Sequence, residues 1–147
     1  MSEGDSFVKV INFHSFSYNF RMDNRSILHI YLYFQLNGVN TQGENIADNG
    51  GVKESYRAYR QWAEQNGPEP KLPGLDYTPE QMFWISAGQT WCAKYRKETL
   101  KMRITTGVHS PSQFRVMGTF SNMKDFARDF NCPEGSRMNP VQKCEVW

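Results

Sequence analysis

The sequence predicts a mostly α fold with an N-terminal segment of β-like composition, and three local signals carry the helical part. Thr78-Pro79-Glu80-Gln81 reads as a helix start: Thr78 can cap, Pro79 suits the first helical position, and Gln81 sits where a capping box needs it. Across residues 41–66, Ile46, Tyr56, Tyr59, Trp62 and Ala63 fall mainly on one helical face. Phe126 and Phe130 stand four residues apart behind Ser121, a residue suited to capping a final helix.

The elements follow in chain order. Residues 1–35 alternate aromatic and polar residues through Phe13, Phe16, Tyr18 and Phe20, then reach the run at 27–34. Aromatic and β-branched residues in such a pattern favour strands. Residues 36–40 are turn-rich, with Asn37-Gly38. The helix over 41–66 has an internal weak point at Gly50-Gly51, and Asn66-Gly67-Pro68 stops it. After a Pro- and Gly-rich loop, the second helix is expected to run from Thr78 to about Lys94, burying Met82, Phe83, Ile85, Ala87 and Trp91. Ser110-Pro111 and Gly118 mark irregular chain around residues 114–117. A last helix is expected from Ser121 to Phe130, followed by an irregular tail, 131–147, pinned by its cysteines.

Composition narrows the function classes. A chain of 147 residues, 39% hydrophobic and 22% charged, suits one modest globular domain. The net charge is +2 with no long basic run, which gives no electrostatic case for nucleic acid. Aromatics make up 14%, enough for a packed core or a surface that packs on something else. The apolar run at 27–34, interrupted by His29, is far too short to span a bilayer, and Met1 to Asp5 is polar and acidic, unlike a targeting segment. Asn24-Arg25-Ser26 is a glycosylation sequon that matters only in a secreted chain. Cys92, Cys132 and Cys144 form no C-x-x-C pair, so a zinc ribbon is not indicated. They fit either free thiols in a reducing compartment or a disulfide protein without its partner cysteines.

Two constellations could carry chemistry. Glu44 and Asp48 are four apart, so a helix places both carboxylates on one face near its start. One could bind a metal and the other orient a histidine ligand; alternatively both simply favour the helix dipole. His109 and Arg115 flank a proline turn and could both donate into a cleft, toward an oxyanion or a peptide carbonyl. Alternatively they are a capping histidine and a surface arginine.

The string Leu36-Asn37-Gly38-Val39-Asn40-Thr41-Gln42-Gly43-Glu44-Asn45-Ile46-Ala47-Asp48-Asn49-Gly50-Gly51 resembles the segment after the H-E-x-x-H helix of neprilysin and endothelin-converting enzymes. The resemblance continues through Tyr56-Arg57-Ala58-Tyr59, Leu72-Pro73-Gly74-Leu75, Trp91-Cys92, His109-Ser110-Pro111, Phe114-Arg115-Val116 and Met138-Asn139-Pro140, and closes on Cys144-Glu145-Val146-Trp147. It covers residues 36–147 and leaves 1–35 unassigned. It implies the helical C-terminal portion of a zincin-like metallopeptidase catalytic domain, acting on peptides with a zinc ion, outside the cell or on its surface. By the same resemblance Glu44 is a zinc ligand and Asp48 orients a zinc-binding histidine. His109 stabilises the transition state, Arg115 binds a substrate carbonyl, and Thr90 and Trp91 line a hydrophobic pocket. The family pairs the cysteines matching Cys92, Cys132 and Cys144 with upstream partners, so here they are open to self-association between chains.

The departure from that pattern is the H-E-x-x-H string itself, which the sequence does not contain. That string supplies two zinc ligands one helical turn apart and the general base between them. Neither His14 nor His29 is followed by Glu-x-x-His. The expectation is a C-terminal fragment that does not hold zinc alone. The alternative is an inactive truncated family member that binds peptides or partners.

Overall fold

A computed structural model describes Leu36 and residues 38–146. The expectations for residues 1–35, including the β-like pattern, the sequon, His14 and His29, lie outside the described residues. Among the described residues five helices follow in order: α1 (Gly38–Asn66), α2 (Pro79–Gln89), α3 (Lys97–Thr106), α4 (Ser112–Asn122) and α5 (Lys124–Asp129). Among the described residues there is no strand, only an isolated bridge between Ser136 and Asn139.

Helix α1 begins three residues before the expected start, inside the stretch read as turn-rich, and runs unbroken through Gly50-Gly51. Two glycines cost a helix about 1 kcal/mol each, and packing against α4 offsets that cost here. The buried line of α1 is Gly38, Thr41, Asn45, Asn49, Gly50 and Tyr56. Its first half is small and polar, so an apolar pattern finds only the aromatic half. Trp62, expected on the buried face, is 47% exposed. The helix stops as expected, with Gly67 at φ +86, a conformation that side chains with a Cβ resist.

Helix α2 starts where the sequence places it. The Gln81 amide donates to Thr78 Oγ1 at 3.2 Å, and the Thr78 amide donates to Gln81 Oε1 at 3.0 Å. Replacing Thr78 with alanine removes the acceptor of the Gln81 amide and is expected to lower stability by about 1 kcal/mol in thermal unfolding. The helix ends at Gln89, not near Lys94. The amides of Trp91 and Cys92 turn back onto the carbonyls of Gly88 and Gln89, and the Thr90 hydroxyl onto that of Ala87. This tight turn swings Trp91 out of the helical path.

Helix α3 was not foreseen in the sequence. Its core contacts are Leu100 and Ile104, one turn apart, in a segment otherwise charged and polar. Helix α4 corrects the irregular chain expected around 114–117: Pro111 occupies the N-cap instead of breaking a helix, and Gly118 is accommodated inside it. The last helix is also corrected. Ser121 lies in the final turn of α4, its hydroxyl donating to the Gly118 carbonyl at 3.0 Å, so it caps nothing. The chain breaks at Met123, and α5 begins at Lys124.

The core sits where α1, α2, α4 and α5 meet. Trp84, 1% exposed, stacks on Tyr56 at 4.6 Å and meets Phe120 and Phe126 edge-on at 5.3 and 5.6 Å. Phe126 and Phe130 pair as their spacing predicts, with ring centroids 4.9 Å apart. Asp129 closes this core from the polar side. Its carboxylate accepts from Tyr56 Oη at 2.6 Å and Trp84 Nε1 at 2.8 Å, while Arg128 covers the other oxygen.

Burial, reinforced by the bond to Asp129, raises the Tyr56 phenol above its ordinary value of 10.0. Burial and a bond to Glu69 push Tyr59 up to about 12. A folded pKa above the unfolded one gives stability that is whole below the unfolded value and is lost as pH rises through the folded one. Both rings are therefore expected to resist ionisation at about pH 10 while the protein stays folded. The phenolate absorbance of these two of the seven tyrosines should then appear only with alkaline unfolding, and its loss from the unfolding step in Tyr56→Phe and Tyr59→Phe variants checks the assignment. Ionisation of all seven in folded protein at about pH 10 would contradict it.

The tail is irregular as expected but is not pinned by cysteines, since Cys92, Cys132 and Cys144 are all free. Polar bonds hold it instead. Lys143 Nζ donates to the Ser121 carbonyl at 2.7 Å, the Cys144 amide to Asn122 Oδ1 at 3.0 Å, and Lys53 Nζ to the Val146 carbonyl at 3.1 Å.

Candidate active site

Helical spacing brings Glu44 and Asp48 to one side of α1, and the α1–α4 contact sets both carboxylates against one guanidinium. Arg115 stands at the end of the first turn of α4. Its Nε donates to Asp48 Oδ2 at 2.6 Å and its Nη2 to Asp48 Oδ1 at 2.5 Å. The two side chains are only 13% and 12% exposed, so the pair is bidentate and largely shielded from water. Glu44 Oε2 lies 3.8 Å from Arg115 Nη2. The hydrogen bonds it donates to Asp48 outweigh burial and hold the Arg115 guanidinium above its ordinary range.

His109 completes the cluster from the turn before α4, with Nε2 at 3.1 Å from Glu44 Oε2. Trp91, carried by the turn that ends α2, lies over the other side of Arg115, its ring centroid 3.8 Å from Cζ. Thr90 beside it is exposed, with its hydroxyl bonded back into α2. The structure thus brings Glu44, Asp48, His109, Arg115 and Trp91 together from three separate segments.

Sequence reasoning missed the residues that support this cluster. Ser110 Oγ donates to Asn45 Oδ1 at 2.8 Å, with both residues buried. Tyr95 Oη and Ser112 Oγ lie 2.5 Å apart, tying the α2–α3 connection to the start of α4, and Arg103 lies over the Tyr95 ring at 5.0 Å. Asn45 and Ser110 each adjoin a singled-out residue, and that adjacency was the available signal.

A catalytic zinc takes three protein ligands and keeps one position open. Among the described residues no group of three or more His, Cys, Asp and Glu side chains could hold a metal ion. Glu44 faces His109 and Arg115, and Asp48 is committed to Arg115. The described residues alone therefore do not fit a zinc centre. They form one side of a charged site, with donors on His109 and Arg115 beside the Trp91 ring.

A helical chain with these residues clustered at the α1–α4 contact has the fold of one part of a zinc metallopeptidase. It aligns with the crystal structure of a Mycobacterium tuberculosis zinc metalloprotease in complex with an inhibitor at a TM-score of 0.79. That likeness covers 97% of this chain and 21% of the other at 24% identity, and so concerns the fold. Residues 9–146 match Peptidase family M13, and the chain belongs to that family. It is 86% identical over 112 residues to "Neprilysin-2" of Drosophila melanogaster, covering 76% of this chain and 14% of that protein. It is 44% identical over 129 residues to "Endothelin-converting enzyme homolog" of Locusta migratoria, covering 88% of this chain and 16% of that protein. The chain thus spans about one-seventh of the length of these relatives. Among the described residues no helix is long and apolar enough to cross a membrane.

Proposed function

We propose that residues 36–147 are the C-terminal part of the catalytic domain of a neprilysin-type zinc metalloendopeptidase; the family match reaches back to residue 9, into the segment that the sequence alone leaves unassigned. The observation that carries this reading is the meeting of Glu44 and Asp48 with His109 and Arg115, across more than sixty residues of chain. In this reading Glu44 supplies one zinc ligand. The two histidines and the base of H-E-x-x-H are absent from the sequence, and so this chain does not hold zinc by itself. His109 offers its ring N–H to negative charge developing on a carbonyl oxygen. Arg115, braced by Asp48 and Trp91, presents a fixed cation toward a substrate backbone carbonyl. The same reading gives Asp48, which is paired with Arg115, the further part of orienting a zinc-binding histidine supplied by the rest of the enzyme. In this reading Thr90 and the Trp91 ring take part in receiving a hydrophobic side chain of the peptide. The parent enzyme would face the extracellular space, cleaving short peptides before hydrophobic residues.

The test joins residues 36–147 to an H-E-x-x-H-bearing segment and follows zinc-dependent hydrolysis of a short peptide with a hydrophobic residue after the scissile bond. The reading expects hydrolysis that Glu44→Gln abolishes. A joined protein that binds zinc and cleaves equally well without Glu44 would overturn it.

The missing H-E-x-x-H string favours a second reading, an inactive family member that binds peptides through His109, Arg115 and Trp91. Zinc-independent peptide affinity that disappears in Arg115→Ala would support it. The exposed thiol of Cys92 leaves either form open to cross-linking between chains.

A further inference from the structure

We infer that Asn45 and Ser110 are positioning residues, and that their buried hydrogen bond sets where the His109 ring stands relative to Glu44. The inference rests on the proposed peptidase reading only in giving that placement a part in a reaction.

Glu44–Asn45 on α1 and His109–Ser110 before α4 are two adjacent pairs of residues, and they meet twice. On the outer side Glu44 and His109 approach within 3.1 Å, with side chains 43% and 48% exposed. On the inner side the Ser110 hydroxyl donates to Asn45 Oδ1 at 2.8 Å, with the residues 4% and 7% exposed. An ion pair this exposed is screened by water and holds little by itself. The inner bond cannot be exchanged for water without opening the α1–α4 contact, and breaking it strands a buried polar atom. The buried contact therefore determines the geometry and the exposed one follows.

Asn45 is itself held from both ends. Its amide nitrogen donates to Thr41 Oγ1 at 3.1 Å, and its backbone carbonyl accepts from Asn49 Nδ2 at 2.8 Å. Asn49 Oδ1 in turn accepts from Asn122 Nδ2 at 3.0 Å, and Asn122 Oδ1 receives the Cys144 amide. This chain of bonds runs along the buried face of α1, and a fully satisfied network of this kind fixes one arrangement. Within it, Asn45 is the member that bonds to Ser110, the residue next to His109.

The test uses this chain with ¹⁵N-labelled histidine, read by long-range ¹H–¹⁵N correlation at one neutral pH, with His109 assigned through His109→Gln. Glu44→Gln defines the ring-nitrogen shifts of His109 without its partner. Ser110→Ala is expected to move His109 to those shifts, while Ser110→Thr, which keeps the hydroxyl, holds the unsubstituted values. Asn122→Ala breaks the far end of the network and is expected to leave His109 unmoved. If Ser110→Ala does not fold, Asn45→Asp keeps the acceptor for Ser110 and is expected to preserve the His109 shifts, while Asn45→Leu removes it and loses them. Unchanged His109 shifts in folded Ser110→Ala or Asn45→Leu would overturn the inference. So would an equal displacement in Asn122→Ala, which would mark a general structural role. Failure of the peptidase reading would show instead as absent hydrolysis in the joined protein, with these shifts unaffected.

Discussion

Replacing His109 with glutamine, in a zinc-loaded protein that joins residues 36–147 to an H-E-x-x-H helix, is expected to lower kcat about 10²- to 10³-fold. The Michaelis constant should change little, because a donor aimed at developing charge acts in the transition state more than in the bound substrate. Arg115→Ala should differ in kind. Arg115 is fixed by Asp48 and Trp91 before substrate arrives, and its proposed partner is a backbone carbonyl already present in the ground state. Its loss is expected to raise KM as well as lower kcat. The measurement is steady-state hydrolysis of one peptide by the two variants. Equal losses in kcat alone for both would contradict the division of roles.

Trp84→Ala is expected to cost roughly 3–5 kcal/mol in equilibrium unfolding, the range for truncating a buried aromatic. Two effects add at this residue. The ring fills the space between Tyr56, Phe120 and Phe126, and its Nε1–H is one of the donors that satisfy Asp129. Trp84→Phe separates them by keeping most of the ring while removing the donor. It should cost about 1–3 kcal/mol, the penalty for leaving a buried polar group short of a partner. A Phe variant as unstable as the Ala variant would place the whole effect in the polar cluster around Asp129.

Much of this was legible in the sequence where a residue type has one dominant local use. Thr78, Pro79 and Gln81 announced α2, Gly67 announced the end of α1, and the spacing of Glu44 and Asp48 put them on one face. The misses share a cause, which is that tertiary packing overrode local signals. Gly50-Gly51 and Gly118 read as weak points, yet α1 and α4 pack together and continue through both. Pro111 read as a breaker because the same residue suits irregular chain and the start of a helix. The polar line Thr41, Asn45 and Asn49 carries no apolar signal, and nothing local reveals that Ser110 and Asn122 arrive from far along the chain to satisfy it. The pairing of Asp48 with Arg115 spans 67 residues and leaves no trace in spacing.

In the proposed reading this chain carries one side of a peptidase site and needs ligands from outside its described residues to hold zinc. The most direct test is the amount of tightly bound zinc per chain, in protein purified without added metal and dialysed against buffer. A value near zero is expected. A value near one would contradict it, and would mean that His14, His29 or a second copy of the chain completes the site around Glu44.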